Sequence, residues 1–333
     1  MKATPRALIL GVEGHSLTPR EIALFRSAPP LGVILFARNI ANPAQLRALT
    51  ASIRELLGAE APILVDQEGG RVARLKPPHW PVFPPPGQFS DHPDALAAAN
   101  AALLGAACLA EGLDVVCAPV LDLRLPGYHQ IVGDRGLGAD PAEVTRLGAA
   151  WMTGLQWAGV VPVMKHMPGH GRAMTDSHFE LPRVTASRAE LAADFAPFAA
   201  LAGTGAWGMT AHVLYTALDP DRPATLSPRI IAEVIRGEMG FDGLLVSDAL
   251  EMKALQGLSN DPARACLDAG CDVAMHCTGR IEENEALLAS LPPVTERALA
   301  RLAASRDAIA ALRAAPAAAG LADPTHDAVP VQA

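Results

Sequence analysis

The chain reads as α/β, a single (β/α)8 TIM-type barrel, and three observations predict this. Short β-rich apolar runs alternate with longer amphipathic ones from end to end. There are eight such runs, the number that closes a parallel sheet. Carboxylates and histidines gather where those runs end, which is the functional face of a parallel barrel. An open doubly wound sheet is the competing arrangement. No Gly-x-Gly-x-x-Gly follows the first run, which weakens its dinucleotide-binding version.

The strands are expected near 6–12, 32–37, 62–67, 115–122, 160–166, 206–213, 243–249 and 272–277. Helices are expected near 18–28, 42–57, 92–111, 140–158, 187–203, 227–239 and 261–269, followed by 280–290 and 294–313. Four helix starts fit a capping box: Thr18 with Glu21, Asn42 with Gln45, Asp140 with Glu143, and Ser187 with Glu190. Three of these also place Pro at the first helical position, and Ser227-Pro228 repeats the pattern more weakly. Lys76 to Pro86, with six prolines, reads as an extended surface loop and not as a linker. The barrel is expected over residues 1–313, with a low-complexity tail over 314–333.

Composition removes several classes of function. A net charge of −8 and an aromatic content of 4% argue against nucleic acid, which asks for clustered cations and stacking surfaces. Half of the residues are apolar, yet no stretch approaches the roughly 20 needed to span a membrane. Cys108, Cys117, Cys266, Cys271 and Cys277 form an odd set without a Cys-x-x-Cys pair, as expected of buried thiols in a reducing compartment. The apolar run Ala7–Val12 is short for a signal peptide and reads as the first strand. A cytoplasmic, monomeric protein is the expectation.

The richest segment is Lys165–His178, which holds three histidines, a lysine, an arginine and an aspartate directly after an apolar run. Titratable groups there are costly for a core and useful for a site. Asp66, Lys165, His166, His212, Asp248 and His276 all fall at expected strand ends. Asp176 and His178 stand two apart, which in an extended loop puts both side chains on one side as an acid/base pair. The alternative is a solvated Asp-Ser turn beside a histidine. Asp248, closing the run Gly243–Asp248, can serve as a nucleophile, a metal ligand or a structural cap. Around Gly69-Gly70, the pairs Asp66/Glu68 and Arg71/Arg74 suit vicinal hydroxyls, or else lock the loop by salt bridges; Arg135 raises the same choice. A zinc site at His166, His170 and His178 is disfavoured by the adjacent Lys165 ammonium, so neither metal nor cofactor is expected. His15, His79, His92 and His129 are expected at the surface, and Met152, Met164 and Met167 in the core.

Seven motifs in order resemble glycoside hydrolase family 3. They are Gly32–Asn39, Val65–Leu75, Ala118–Asp122, Lys165-His166-x-Pro168-Gly169-His170-Gly171, Asp176-Ser177-His178-x-x-Leu181-Pro182, Met209–His212, and Ser247-Asp248-x-Leu250-x-Met252. Within the family they are similar to the NagZ-type bacterial β-N-acetylglucosaminidases of cell-wall recycling. The resemblance implies a metal-free, retaining glycosidase whose partner is a small carbohydrate. It implies that Asp248 is the nucleophile, that His178 with Asp176 is the acid/base, and that Asp66, Arg74, Arg135, Lys165 and His166 bind the sugar. Three residues depart from the usual pattern: Ala249 for Asp, Met167 for Phe and Arg172 for Asp. The loop Arg124–Gln130 also differs. These departures bear on substrate preference and rate. A phosphorylase is the alternative activity, because a neutral imidazole does not repel phosphate; a non-catalytic sugar binder is the other.

Overall fold

The computed structural model describes residues 4–314. Among them, eight parallel strands form a closed barrel: β1 (Arg6–Gly11), β2 (Pro30–Leu35), β3 (Ile63–Val65), β4 (Val115–Val116), β5 (Val161–Met167), β6 (Trp207–Thr210), β7 (Leu245–Ala249) and β8 (Val273–His276). Closure is by β1 against β8, with Leu8 opposite Ala274. The helices α1 (Pro19–Ser27), α2 (Pro43–Leu57), α3 (Asp94–Ala110), α4 (Pro141–Ala158), α5 (Arg188–Ala200), α6 (Pro262–Ala269), α7 (Ile281–Ser290) and α8 (Glu296–Ala314) follow the expected order.

Alternation along each strand divides the apolar residues into two cores. Leu8, Leu10, Val33 and Leu35 pack outward with helix residues such as Leu46, Leu49 and Ile53. Their neighbours Ile9, Ile34, Leu64, Met209, Val246 and Met275 fill the barrel interior. Each such side chain, fully buried, contributes about 1.5–3 kcal/mol. Leu302 and Ile309 of α8 join the interior cluster, and Val294 donates its N–H to the Pro5 carbonyl at 2.8 Å. The end of the barrel where the strands begin is thereby plugged, so the open end is the one where the strands finish.

Several expectations need correction. The strand expected over 115–122 is only Val115–Val116, because Pro119 has no N–H to continue a ladder. Full reciprocal capping boxes form at Thr18/Glu21 and Ser187/Glu190. At Asn42 and Asp140 only the cap half forms; Gln45 turns its oxygen to the Ala41 N–H instead. The helix expected over 227–239 is a wide π-type helix, Ile230–Glu238, capped by the Ser227 hydroxyl at 3.0 Å from the Ile230 nitrogen. The proline-rich segment is not simply surface, since Trp80 and Phe83 are buried and Trp80 donates to Glu111 at 3.1 Å. A two-stranded parallel sheet, Arg183–Val184 with Leu214–Tyr215, was not foreseen. The tail expected over 314–333 lies, apart from Ala314, outside the described residues.

Candidate active site

The strand ends surround a cavity of about 770 Å³, reached by all eight residues singled out from the sequence: Asp66, Arg74, Arg135, Lys165, His166, Asp176, His178 and Asp248. Small-molecule sites run from roughly 300 to 1,000 Å³. Asp66 follows β3, Lys165 and His166 lie on β5, and Asp248 lies on β7. The remaining four, Arg74, Arg135, Asp176 and His178, come from the segments between strands.

One wall is an ion-pair network. Lys165 Nζ is 3.0 Å from Asp66 Oδ1 and 2.7 Å from Glu68 Oε1. Arg135 forks onto Glu68 at 2.7 and 2.8 Å, and Arg74 reaches Asp66 at 3.2 Å. Burial pushes the Glu68 carboxyl up, but the Arg135 and Lys165 charges outweigh it and hold the group well below the usual carboxylate range. Burial likewise opposes the Lys165 charge, and Asp66 and Glu68 outweigh that too, so Lys165 stays an ammonium. Three cations thus face two carboxylates, giving fixed donors and acceptors for hydroxyl groups. Glu68 is the salt-bridge anchor that the sequence left open, with Arg71 bound to Asp134 at 3.1 Å and to nearby carbonyls. This geometry depends on the Gly69-Gly70 turn: Gly69 has φ of 96°, and a Cβ there would meet the Pro84 carbonyl oxygen at 2.4 Å.

A second group is built on Asp122, which was quoted only as part of a motif. Its Oδ2 is 2.6 Å from His166 Nδ1, and its Oδ1 accepts the N–H of His166 at 3.1 Å and of His170 at 2.7 Å. Burial pushes the Asp122 carboxyl up, and the His166 and His170 contacts bring it below the ordinary value. The His170 ring lies edge-on to His166, 5.7 Å between centroids, and neither of its ring nitrogens has a partner among the described residues.

Asp248 stands at the cavity floor, its Oδ1 accepting the Ala249 N–H at 2.8 Å. Burial would raise this carboxyl. The neighbouring His212 and His166 rings, the Ala249 N–H and Lys165 together turn the shift downward, so Asp248 is an anion near neutral pH. His212 was expected among the strand-end groups at the mouth. It instead sits behind the floor, with Nε2 3.0 Å from the Ala249 carbonyl and Nδ1 2.7 Å from the Thr225 hydroxyl. Burial lowers its basicity. A neutral ring whose Nε2–H serves the carbonyl leaves Nδ1 to accept from Thr225. His276 also lies outside the cavity wall, paired with Glu283 at 2.8 Å.

Asp176 and His178 sit on the loop after β5. The expected extended geometry is replaced by a turn: Asp176 Oδ1 accepts both the His178 N–H at 2.9 Å and His178 Nδ1 at 2.7 Å, while the Asp176 carbonyl accepts from Phe179 at 2.9 Å. An Asx turn does this directly, because the carboxylate folds back on the residue two ahead. The His178 side chain is 61% exposed and rims the cavity. The loop is fastened at its start by the Tyr215 hydroxyl on the Gly169 carbonyl (2.7 Å) and by Arg172 on Asp194 (2.6 Å). Gly169, at φ of 131°, lies where a Cβ would meet the Asp194 Cβ at 2.8 Å. Two of the three departures thus have structural roles, Arg172 as a tether and Met167 as a fully buried core residue. Nothing in the structure explains Ala249.

His166 and His170 are buried while His178 stays on the rim, and among the described residues no three His, Cys, Asp or Glu side chains converge as a metal site. All five cysteines are free and buried. Among the described residues no helix is long and apolar enough to cross a membrane.

The chain is similar to known proteins over most of its length. Residues 29–306 match the family model described as Glycosyl hydrolase family 3 N terminal domain. A β-hexosaminidase of Alkalilimnicola ehrlichii is 42% identical over 309 residues, 89% of this chain and 88% of that protein. A β-hexosaminidase of Pseudomonas aeruginosa is 39% identical over 291 residues, covering 85% and 86%. NagZ from Neisseria gonorrhoeae, solved with N-trifluoroacetyl-D-glucosamine, superposes with a TM-score of 0.83 at 32% identity, covering 94% of this chain and 96% of that one.

Proposed function

The chain belongs to glycosyl hydrolase family 3 and is a glycoside hydrolase of β-hexosaminidase type, and from that premise we propose a retaining exo-β-N-acetylglucosaminidase. Its substrates are terminal β-N-acetylglucosaminides of peptidoglycan fragments, the anhydro-muropeptides released in cell-wall recycling. The observation that carries this reading is the pairing of an anionic Asp248 at the cavity floor with a rim imidazole, His178, fixed on Asp176.

In the first step Asp248 attacks the anomeric carbon, while His178 gives its proton to the glycosidic oxygen and the alcohol leaves. The products are a covalent glycosyl-enzyme and a neutral imidazole. In the second step that imidazole takes a proton from water, whose oxygen attacks the same carbon and frees Asp248. Two displacements restore the β configuration. Asp66, Arg74, Arg135, Lys165 and His166 hold the hydroxyl groups of the sugar, with Glu68 and Asp122 keeping them in place. Ordinary retaining enzymes set two carboxyls about 5–5.5 Å apart. A histidine at the end of a tethered loop can instead act only when the turn carrying it faces the substrate. The buried, unpaired thiols support a cytoplasmic setting, and we take the protein to act as a monomer.

The test is nitrophenol release from 4-nitrophenyl β-N-acetylglucosaminide by chelator-treated protein, with and without phosphate. Release of free N-acetylglucosamine with β retention, independent of phosphate, is expected. A sugar phosphate as main product would replace hydrolysis by phosphorolysis, and loss of activity with the chelator would overturn the metal-free reading.

A further inference from the structure

The loop Arg124–Gln130, which differs from the usual family pattern, ends where two halves of the cavity meet. On one side, the Ile131 carbonyl accepts from two cavity arginines, Arg71 Nη2 at 2.8 Å and Arg135 Nη1 at 3.1 Å. The Gln130 carbonyl takes a further bond from Arg71 at 3.0 Å. On the other side, the His129 N–H donates to the Ala173 carbonyl at 3.2 Å, on the loop that carries Asp176 and His178. One side chain closes the turn between the two sides. His129 Nδ1 accepts the Ile131 N–H at 3.0 Å, so the ring is the neutral tautomer with its proton on Nε2. The imidazole folds back on the residue two ahead, as an Asn or Asp side chain does in an Asx turn. The Ile131 peptide is thereby held at both ends, its N–H by the ring and its carbonyl by the arginines.

We propose that His129 is a positioning residue, and that the turn it closes, His129–Ile131, ties the Asp176–His178 pair to the arginine wall of the sugar site. The inference rests on the glycosidase reading and adds to it a residue that touches neither the sugar nor the reacting atoms. Arg135, which holds the sugar, holds Ile131; the closed turn holds Ala173; and Ala173 fixes where the acid/base loop begins its Asx turn. The proton donor is set against the glycosidic oxygen only while that turn stays closed. A displacement of about 1 Å at a catalytic group can cost 10²-fold in rate, so a single exposed hydrogen bond in this position has kinetic weight.

The test compares His129→Ala with His129→Asn, because Asn can accept the same Ile131 N–H from a shorter side chain. The substrates are phenyl and 4-nitrophenyl β-N-acetylglucosaminides, with competitive inhibition by N-acetylglucosamine measured alongside. His129→Ala is expected to lower kcat/KM about ten-fold for the phenyl glycoside, whose leaving oxygen needs the proton, and about two-fold for the nitrophenyl glycoside. The inhibition constant is expected to move about two-fold or less. His129→Asn is expected to recover most of the loss, and His129→Ala to cost little more when Asp176→Ala is already present. Equal losses on the two glycosides, a loss that Asn does not recover, or losses that add in full with Asp176→Ala each overturn the proposal. So does a lowered melting temperature with kinetics unmoved. If the unaltered protein releases neither phenol nor nitrophenol, the glycosidase reading itself falls and the positioning role falls with it.

Discussion

Asp122 holds His166 on two sides, with Oδ2 2.6 Å from Nδ1 and Oδ1 3.1 Å from the backbone nitrogen of the same residue. The ring is oriented and its Nε2 is left for a ligand, while the third bond, to the His170 N–H, pins the start of the loop that carries the acid/base pair. Asp122→Asn supplies one oxygen and one amine where three N–H groups need acceptors. We expect kcat/KM to fall by roughly 10- to 100-fold, the range for outer partners of an oriented imidazole. His166→Ala is expected to lose a similar amount, and the double variant little more than either alone. Losses that add in full would separate the two residues and reject the coupling.

Asp248 is the anion at the floor, and among the described residues the other carboxylates lining the cavity are each paired with a cation or a histidine. Replacing it with Ala removes the group that forms the covalent intermediate. Turnover is expected to drop by about 10³-fold or more. With an activated aryl glycoside, added azide should restore turnover by entering the space of the missing carboxylate and attacking from the same face, giving the α-glycosyl azide. A β-azide, or activity above a tenth of normal without azide, would remove Asp248 from the nucleophile's role.

The barrel was legible because the strands are largely apolar on both faces and most helix starts carry a side-chain cap, as at Thr18, Asn42, Asp140, Ser187 and Asp261, so period and punctuation agreed. Where proline intervened they did not, and Pro119 shortened β4 to two residues. The named site residues all reach the cavity because they sit at strand ends or in one dense loop. Glu68 and Asp122 were less visible as organisers, since a buried carboxylate is defined by partners far along the chain: Arg135 lies 67 residues from Glu68, and His166 lies 44 from Asp122. His212 shows the opposite limit. Its position at a strand end pointed to the mouth, but its ring is drawn back onto Thr225 and the Ala249 carbonyl. The Asx turn at Asp176 was readable as Asp-Ser, the alternative that the extended reading set aside.

Asp176 gives His178 both its orientation and a negative neighbour. Burial alone would raise the Asp176 carboxyl, and the His178 backbone and ring contacts turn it downward, so the acid is ionised throughout the working range. Asp176→Ala deletes the carboxylate that orients the imidazole. The rate is expected to fall about 10²-fold, because the proton donor loses the partner that orients it. Substrates with good leaving groups, which need less protonation, should lose less in the first step. A loss of the same size for good and poor leaving groups would assign Asp176 a purely structural part.

His170 links the site to acid stability. Burial holds its imidazole down at about 4, against an ordinary 6.5, even though Asp122 and Asp248 pull the other way and His166 adds to the lowering. Between those values the unfolded chain binds the proton and the folded one does not, so this residue adds stability above pH 6.5 that is lost as pH falls toward 4. The full effect is about 3 kcal/mol. Asp194, pushed up to about 6 by burial despite Arg172, acts in the opposite sense over the window above 3.8, which hides the histidine in a simple pH scan. Comparing the unaltered protein with His170→Asn cancels Asp194, since both carry it. Urea midpoints for the pair are expected to converge by the equivalent of 1–2 kcal/mol, an order-of-magnitude figure, between pH 7 and pH 5. A gap that stays constant over that interval would show that His170 takes up a proton in the folded protein as readily as in the unfolded chain.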